Sequence, residues 1–142
     1  MGYESYNLVL LGLDDIDLFQ VKTSLIEMGY VTCGNNSFEK ILQCGIIEIL
    51  FDKKTISIRT AKANDVDIID KIIEDICLLK DVISFDVFDC QQGSEISQKC
   101  FDKIKKCFNV AHSDFKELFP AVGPPIRCCD VFKVSTLRQR RK

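Results

Sequence analysis

The chain has one histidine, His112, in 142 residues, no Cys-x-x-Cys pair among its eight cysteines, and no glycine-rich turn of the kind that cradles phosphate. Each shortage removes a class of chemistry. Structural zinc is held by four sulfur or nitrogen ligands, usually in two closely spaced cysteine pairs. The vicinal Cys128 and Cys129, in an extended segment, would point to opposite faces and suit chelation poorly. A set of Cys107, His112, Cys128 and Cys129 is conceivable, but its spacing does not fit a zinc knuckle. A nucleophilic thiol needs a positioned base, and the five-residue step from Cys107 to His112 does not stack the two on one helix face. His112 reads instead as a last-turn residue favoured by the helix dipole. Leu11-Gly12-Leu13-Asp14-Asp15 carries one glycine and two carboxylates, so it repels phosphate rather than binding it. No cofactor is expected.

Long apolar runs are also missing. None approaches the roughly 20 residues of a membrane span, and Met1–Tyr6 has no basic segment of the secretory type. A cytoplasmic protein with reduced thiols is the expectation. Cys77 falls in the stripe Ile69, Ile73, Ile76, and Cys100 and Cys107 fall with Ile96, Ile104 and Phe108, so they act as small hydrophobes. Hydrophobic residues make up 46% and charged residues 28%, which excludes a disordered chain. The length fits one domain, here residues 1–134, with an extension from about 90 and a basic, flexible tail at 135–142. That tail holds Arg138, Arg140, Arg141 and Lys142. Setting aside its four positive charges, the overall −2 becomes −6 for the body.

What is present is an ordered change of apolar period. Tyr6–Leu13 is a nearly continuous apolar run, as in a central strand. Asp14 and Asp15 offer an N-cap, Leu18, Val21, Leu25 and Met28 follow at helical spacing, and Gly29 stands where a left-handed cap belongs. Cys33–Ser37 is a loop by composition, Ile41–Phe51 reads as a second strand and Thr55–Thr60 as a third. Asn64 or Asp65 caps a helix striped by Val66, Ile69, Ile72, Ile73, Ile76 and Leu79, and Ile83–Phe88 alternates as a fourth strand. Ser94 caps a third helix with Glu95–Lys99 and Asp102–Lys106 pairs on its wet side. Ser113 starts a further turn ended by Pro120. Gly123-Pro124-Pro125 is a rigid connector, and Ile126–Val134 a fifth strand at a sheet edge. The extension should cover the open sheet face. The β-α-β-β-α-β string predicts a ferredoxin-like α+β sandwich: a four-stranded antiparallel sheet with two helices on one face.

That architecture names no chemistry, and its familiar uses fail at their residues. Leu8-Val9-Leu10-Leu11-Gly12-Leu13 resembles the first ribonucleoprotein motif of RNA-recognition domains, but Val9 stands where a stacking aromatic is needed. Lys54–Thr60 lacks aromatics altogether, and an acidic body disfavours nucleic acid. The first loop has neither the two cysteines of heavy-metal carriers nor the arginine of acylphosphatases. Leu11–Ile16 resembles the corresponding segment of ACT-type regulatory domains, where an acid follows the first strand; that resemblance implies a dimerising, small-molecule-binding module. The organised polar feature is acidic. Asp65 to Asp89 contains eight acids against Lys71 and Lys80, and clustered like charge can steer a basic partner. The leading expectation is a non-enzymatic protein-binding module, by analogy of size and charge an immunity protein that inhibits a basic bacterial toxin. Its contact residues would be Asp67, Asp70, Glu74, Asp81 and Asp86. A small enzyme of unrecognised type is the third reading.

Overall fold

The computed structural model describes residues 3–13 and 17–133. Asp14, Asp15, Val134 and the basic tail 135–142 lie outside the described residues. Strand β1 (Ser5–Leu11) is followed by helix α1 (Leu18–Glu27) and strands β2 (Val31–Gly34), β3 (Ser37–Leu42), β4 (Gly45–Phe51) and β5 (Ile56–Ala61). Helix α2 (Ile68–Lys80), strands β6 (Asp86–Asp89) and β7 (Ser94–Ile96), and helix α3 (Asp102–Leu118) complete the regular elements. The described strands form one antiparallel, open, seven-stranded sheet in the order β2-β3-β4-β5-β1-β6-β7. The protein is α+β, with a sheet larger than the four strands expected. No helix among the described residues is long and apolar enough to cross a membrane.

Register explains which face carries the helices. Leu8 of β1 stands opposite Ile58 of β5 and Asp89 of β6, and Ile58 stands opposite Ile49 of β4. With a side-chain period of 2, Tyr6, Leu8, Leu10, Ile47, Ile49, Ile56, Ile58 and Val87 share one face. Val21 and Leu25 of α1, Ile69, Ile72 and Ile76 of α2, and Ile104 and Phe108 of α3 join the same core. Each such side chain contributes about 1.5–3 kcal/mol when fully buried. The second face carries Glu39, Glu48, Ser57, Arg59, Asn7 and Ala61 instead.

Several expectations are corrected. The strand expected over Ile41–Phe51 is two strands, β3 and β4, joined at Gln43-Cys44, a turn without the Asn-Gly type of signature that marks tight hairpins. Ser94 does not cap a helix: Ile96 pairs with Val87 across β6 and β7. The Asp89 carboxylate accepts the Gln91 and Gln92 amides and turns the chain back. Glu95 is therefore in a strand and forms no helical pair with Lys99. Helix α3 does not stop at Ser113, because Phe108, Ala111 and Phe115 continue its buried stripe; His112 is accordingly a mid-helix residue. Asn64 and Asp65 do not cap α2, which begins at Ile68. The α1 cap is Asp17, whose carboxylate accepts from the Phe19 and Gln20 amides.

Gly29 does end α1. Its φ of 98° is left-handed, and the Tyr30 amide reaches back to the Leu25 carbonyl while the Gly29 amide bonds Ile26, a Schellman closure that favours glycine. The extension is divided between the two faces: α3 joins α1 and α2, and the segment after Pro120 lies on the other side. That segment is not the expected fifth strand. It forms a short 3-10 turn at Cys128–Asp130, and the Ile126 N–H and carbonyl and the Cys128 N–H that a ladder would use are taken by side chains.

Candidate functional site

Of the five acids singled out by the sequence, four share one stripe. Asp67, Asp70, Glu74 and Asp81 follow one another at steps of three, four and seven residues, which returns them to one side of α2, and all are exposed. Asp67 and Asp81 bracket the helix as its N- and C-caps. The charge is partly neutralised in place. Lys105 of α3 lies 3.0 Å from Asp70, and Lys71 lies 3.8 Å from Glu74. Two of the four negative charges on this stripe thus remain without an ion pair among the described residues. Asp86 is not brought to them. It alternates with the buried Val87 on β6, which puts it on the second face of the sheet. Asp75, on the same helix, is buried and accepts from the Tyr30 hydroxyl at 2.7 Å and from Lys40 at 3.2 Å.

The second face carries a polar row that sequence reading missed. Glu39 on β3 and Glu48 on β4 are directly opposite, and Arg59 on β5 is opposite Glu48. Arg59 donates to Glu48 at 3.3 Å. Arg127, from the segment after Pro120, donates two bonds of 2.8 Å to the two oxygens of Glu39. That bidentate bond, stronger than the opposing effect of burial, holds the Glu39 carboxyl below the usual glutamate value. The Cys128 amide donates to Glu48 at 3.0 Å. Two positions earlier, the Asn64 side chain accepts the Ile126 N–H at 2.9 Å and donates to the Ile126 carbonyl at 3.0 Å. These side chains replace the ladder partners of a fifth strand. Under the segment, Ala61, Ala63, Phe115, Val122, Ile126, Cys128 and Val131 form a small second core. Beside it, Cys33, Ser37, Glu39, Glu48, Arg59 and Arg127 line a cleft of about 260 Å³. Period-2 alternation alone could have placed Glu39, Glu48 and Arg59 on one face; nothing local indicated that Arg127 would meet them.

Most of the histidine, lysine and cysteine side chains on this side of the molecule have packing partners. The Nδ1 of His112 lies 2.7 Å from the Lys62 carbonyl and its ring stacks on Phe108. Lys62 is buried, which lowers its ammonium pKa, and its Nζ sits 4.6 Å from the centre of the Tyr3 ring, a cation–π contact that offsets part of the desolvation. Burial raises the thiols of Cys44, Cys90 and Cys128, and partial desolvation beside Glu39 and Glu48 raises that of the exposed Cys33, the opposite of the shift that activates a nucleophile. Asp89, fully buried, receives the Tyr6 hydroxyl as well as Gln92. Cys107 packs beside Tyr6 in the main core, Cys128 lies in the second core, and Cys129 is exposed. Among the described residues, no group of three or more His, Cys, Asp or Glu is placed to hold a metal ion. At the first strand–helix junction, Leu13, Leu18 and Asp52–Ile56 line a cleft of about 100 Å³, well below the ~300 Å³ at which small-molecule sites begin. No protein-family model, no curated protein and no solved structure matches this chain.

Proposed function

We propose that the protein is a non-enzymatic module that binds another protein of basic character, in the manner of an inhibitor such as a toxin's immunity protein. The outer stripe of α2, Asp67, Asp70, Glu74 and Asp81, is the recruiting surface, and Asp86 contributes from the far side of the sheet only to long-range charge. The observation that carries this reading is the division of the polar groups. Asp75, Asp89 and Lys62 are buried and the half-buried His112 is held at the Lys62 carbonyl, while the four acids of α2 are exposed along one line. Exposed charge of this kind raises association rates more than it raises affinity. The same reading takes the central strands β4-β5-β1-β6 with α1 and α2 as a ferredoxin-like unit. Strands β2, β3 and β7 are then additions at its edges; the strand order in the sheet supports this.

The test is kinetic. The chain is used to capture a partner at low ionic strength, and the identified partner is purified. Its association rate with the native chain is then compared with that of a D67S/D70S/E74S variant across salt concentrations. The expected result is slower association for the variant, most marked at low salt, with a melting temperature nearly unchanged because exposed ion pairs contribute only about 0–1 kcal/mol each. Identical rates at every salt concentration would reduce the stripe to solvated surface.

A further inference from the structure

The segment Ile126–Cys128 sits on the second sheet face as a bound peptide would. Arg127 is extended, with φ −81° and ψ 150°, so its neighbours point inward while it points sideways. Ile126 and Cys128 are inserted, 7% and 3% exposed. Asn64 reads both main-chain groups of Ile126, Glu48 reads the Cys128 amide, and Glu39 receives the arginine. The face is prepared for a cation. Like charges directly opposite on neighbouring strands destabilise a sheet, and Glu39 and Glu48 are such a pair. Arg59 answers Glu48; Glu39 is answered from outside the sheet.

The occupant is also held in a way that permits exchange. Among the described residues, no main-chain to main-chain hydrogen bond joins it to the sheet; side chains make the hydrogen bonds to it. The Arg127 side chain is 40% exposed. Next to it, the Arg59 Nε is buried without a hydrogen-bond partner among the described residues, so the adjoining cleft has polar capacity that the internal segment leaves unused.

We propose that this face is a peptide-recognition groove, that Ile126-Arg127-Cys128 is its displaceable internal occupant, and that it fits a partner protein presenting an extended segment with an arginine between two apolar side chains. The groove is on the opposite side of the sheet from α2, so the inference does not rest on the acidic stripe.

The probe is a labelled synthetic peptide spanning Gly123–Lys133, carrying Cys129→Ser, titrated by fluorescence anisotropy into the full chain and into its Arg127→Ala variant under reducing conditions. The native groove is self-occupied, which weakens apparent binding by the fraction of time it is closed. The variant is expected to bind at least about tenfold more tightly. Placing Arg127→Ala in the peptide, or adding Glu39→Gln to the variant chain, should remove that gain. Equal affinity for native and variant chains, or binding indifferent to the peptide's arginine, overturns the proposal. Amide hydrogen exchange of the native chain provides a measurement that needs no variant. The Ile126 and Cys128 amides should exchange by local opening, well before those of β4 and β5. Equal protection would make the segment part of the main cooperative unit and would equally overturn the groove.

Discussion

Asn64→Ala is the most informative single change in this protein. Asn64 is fully buried between the end of β5 and the segment after Pro120. Its side chain donates to the Thr60 hydroxyl at 2.9 Å and to the Ile126 carbonyl at 3.0 Å, and accepts the Ile126 amide at 2.9 Å. Thr60 in turn donates to the Ile46 carbonyl at 2.9 Å. It also packs on a strand that comes unusually close: a Cβ added at Gly45 would lie 2.6 Å from the Asn64 Cβ and Cγ. Three lost hydrogen bonds at a net of about 1 kcal/mol each give a loss of about 3 kcal/mol. Any of the freed groups that water cannot reach adds about 1–3 kcal/mol more, although detachment of the segment would let water reach Ile126 and limit the total. At about 3 °C per kcal/mol for a chain of this size, the melting temperature should fall by about 10 °C. The assay is urea and thermal unfolding followed by far-ultraviolet circular dichroism. Asn64→Asp, which keeps the acceptor but loses both donations and buries a carboxylate, should be at least as destabilising. A loss below about 1 kcal/mol for the alanine variant, within the range of an ordinary surface change, would refute the claim that this residue clamps the segment to the sheet.

Three further outcomes are expected. Tyr30→Phe leaves the buried Asp75 with Lys40 alone, and should cost about 1–3 kcal/mol, read as a lower urea midpoint; an unchanged midpoint would mean that Asp75 finds another donor. An NMR titration should place the Glu39 carboxyl below the ordinary glutamate value, and Arg127→Ala should raise it. Because its folded value is depressed, the stabilisation from this ion pair is complete above the unfolded value of about 4.3 and is lost as pH falls through the folded one. Alkylation mapped by mass spectrometry should modify the exposed Cys129 ahead of Cys77, Cys100 and Cys107, which pack against the main core. Modification of those three ahead of Cys129 would contradict that packing.

Much of the helical layer was legible without coordinates, because burial on a helix or strand leaves a periodic trace. The stripe Ile69, Ile72, Ile76, Leu79 marks α2, and the pattern through Val21, Leu25 and Gly29 marks α1 and its end. The line of acids along α2 was visible for the same reason. Misreadings arose where local signals were degenerate. Ile41–Phe51 is apolar on both sides of a turn that lacks a turn signature, so two strands looked like one. Ser94 before an apolar run reads equally as a cap or as a strand end, and only the pairing of Ile96 with Val87 decides it.

The sequence by itself determined the α+β class, the apolar sides of the elements and the exposure of Asp67, Asp70, Glu74 and Asp81. These depend on steps of two to seven residues along the chain. The tertiary structure alone decided that Lys105 would neutralise Asp70 and that Arg127 would reach Glu39. Those partners are separated by tens of residues, 88 in the case of Glu39 and Arg127, and no local pattern records which distant side chain will satisfy a charge. Only the order of strands in the sheet brings such groups together.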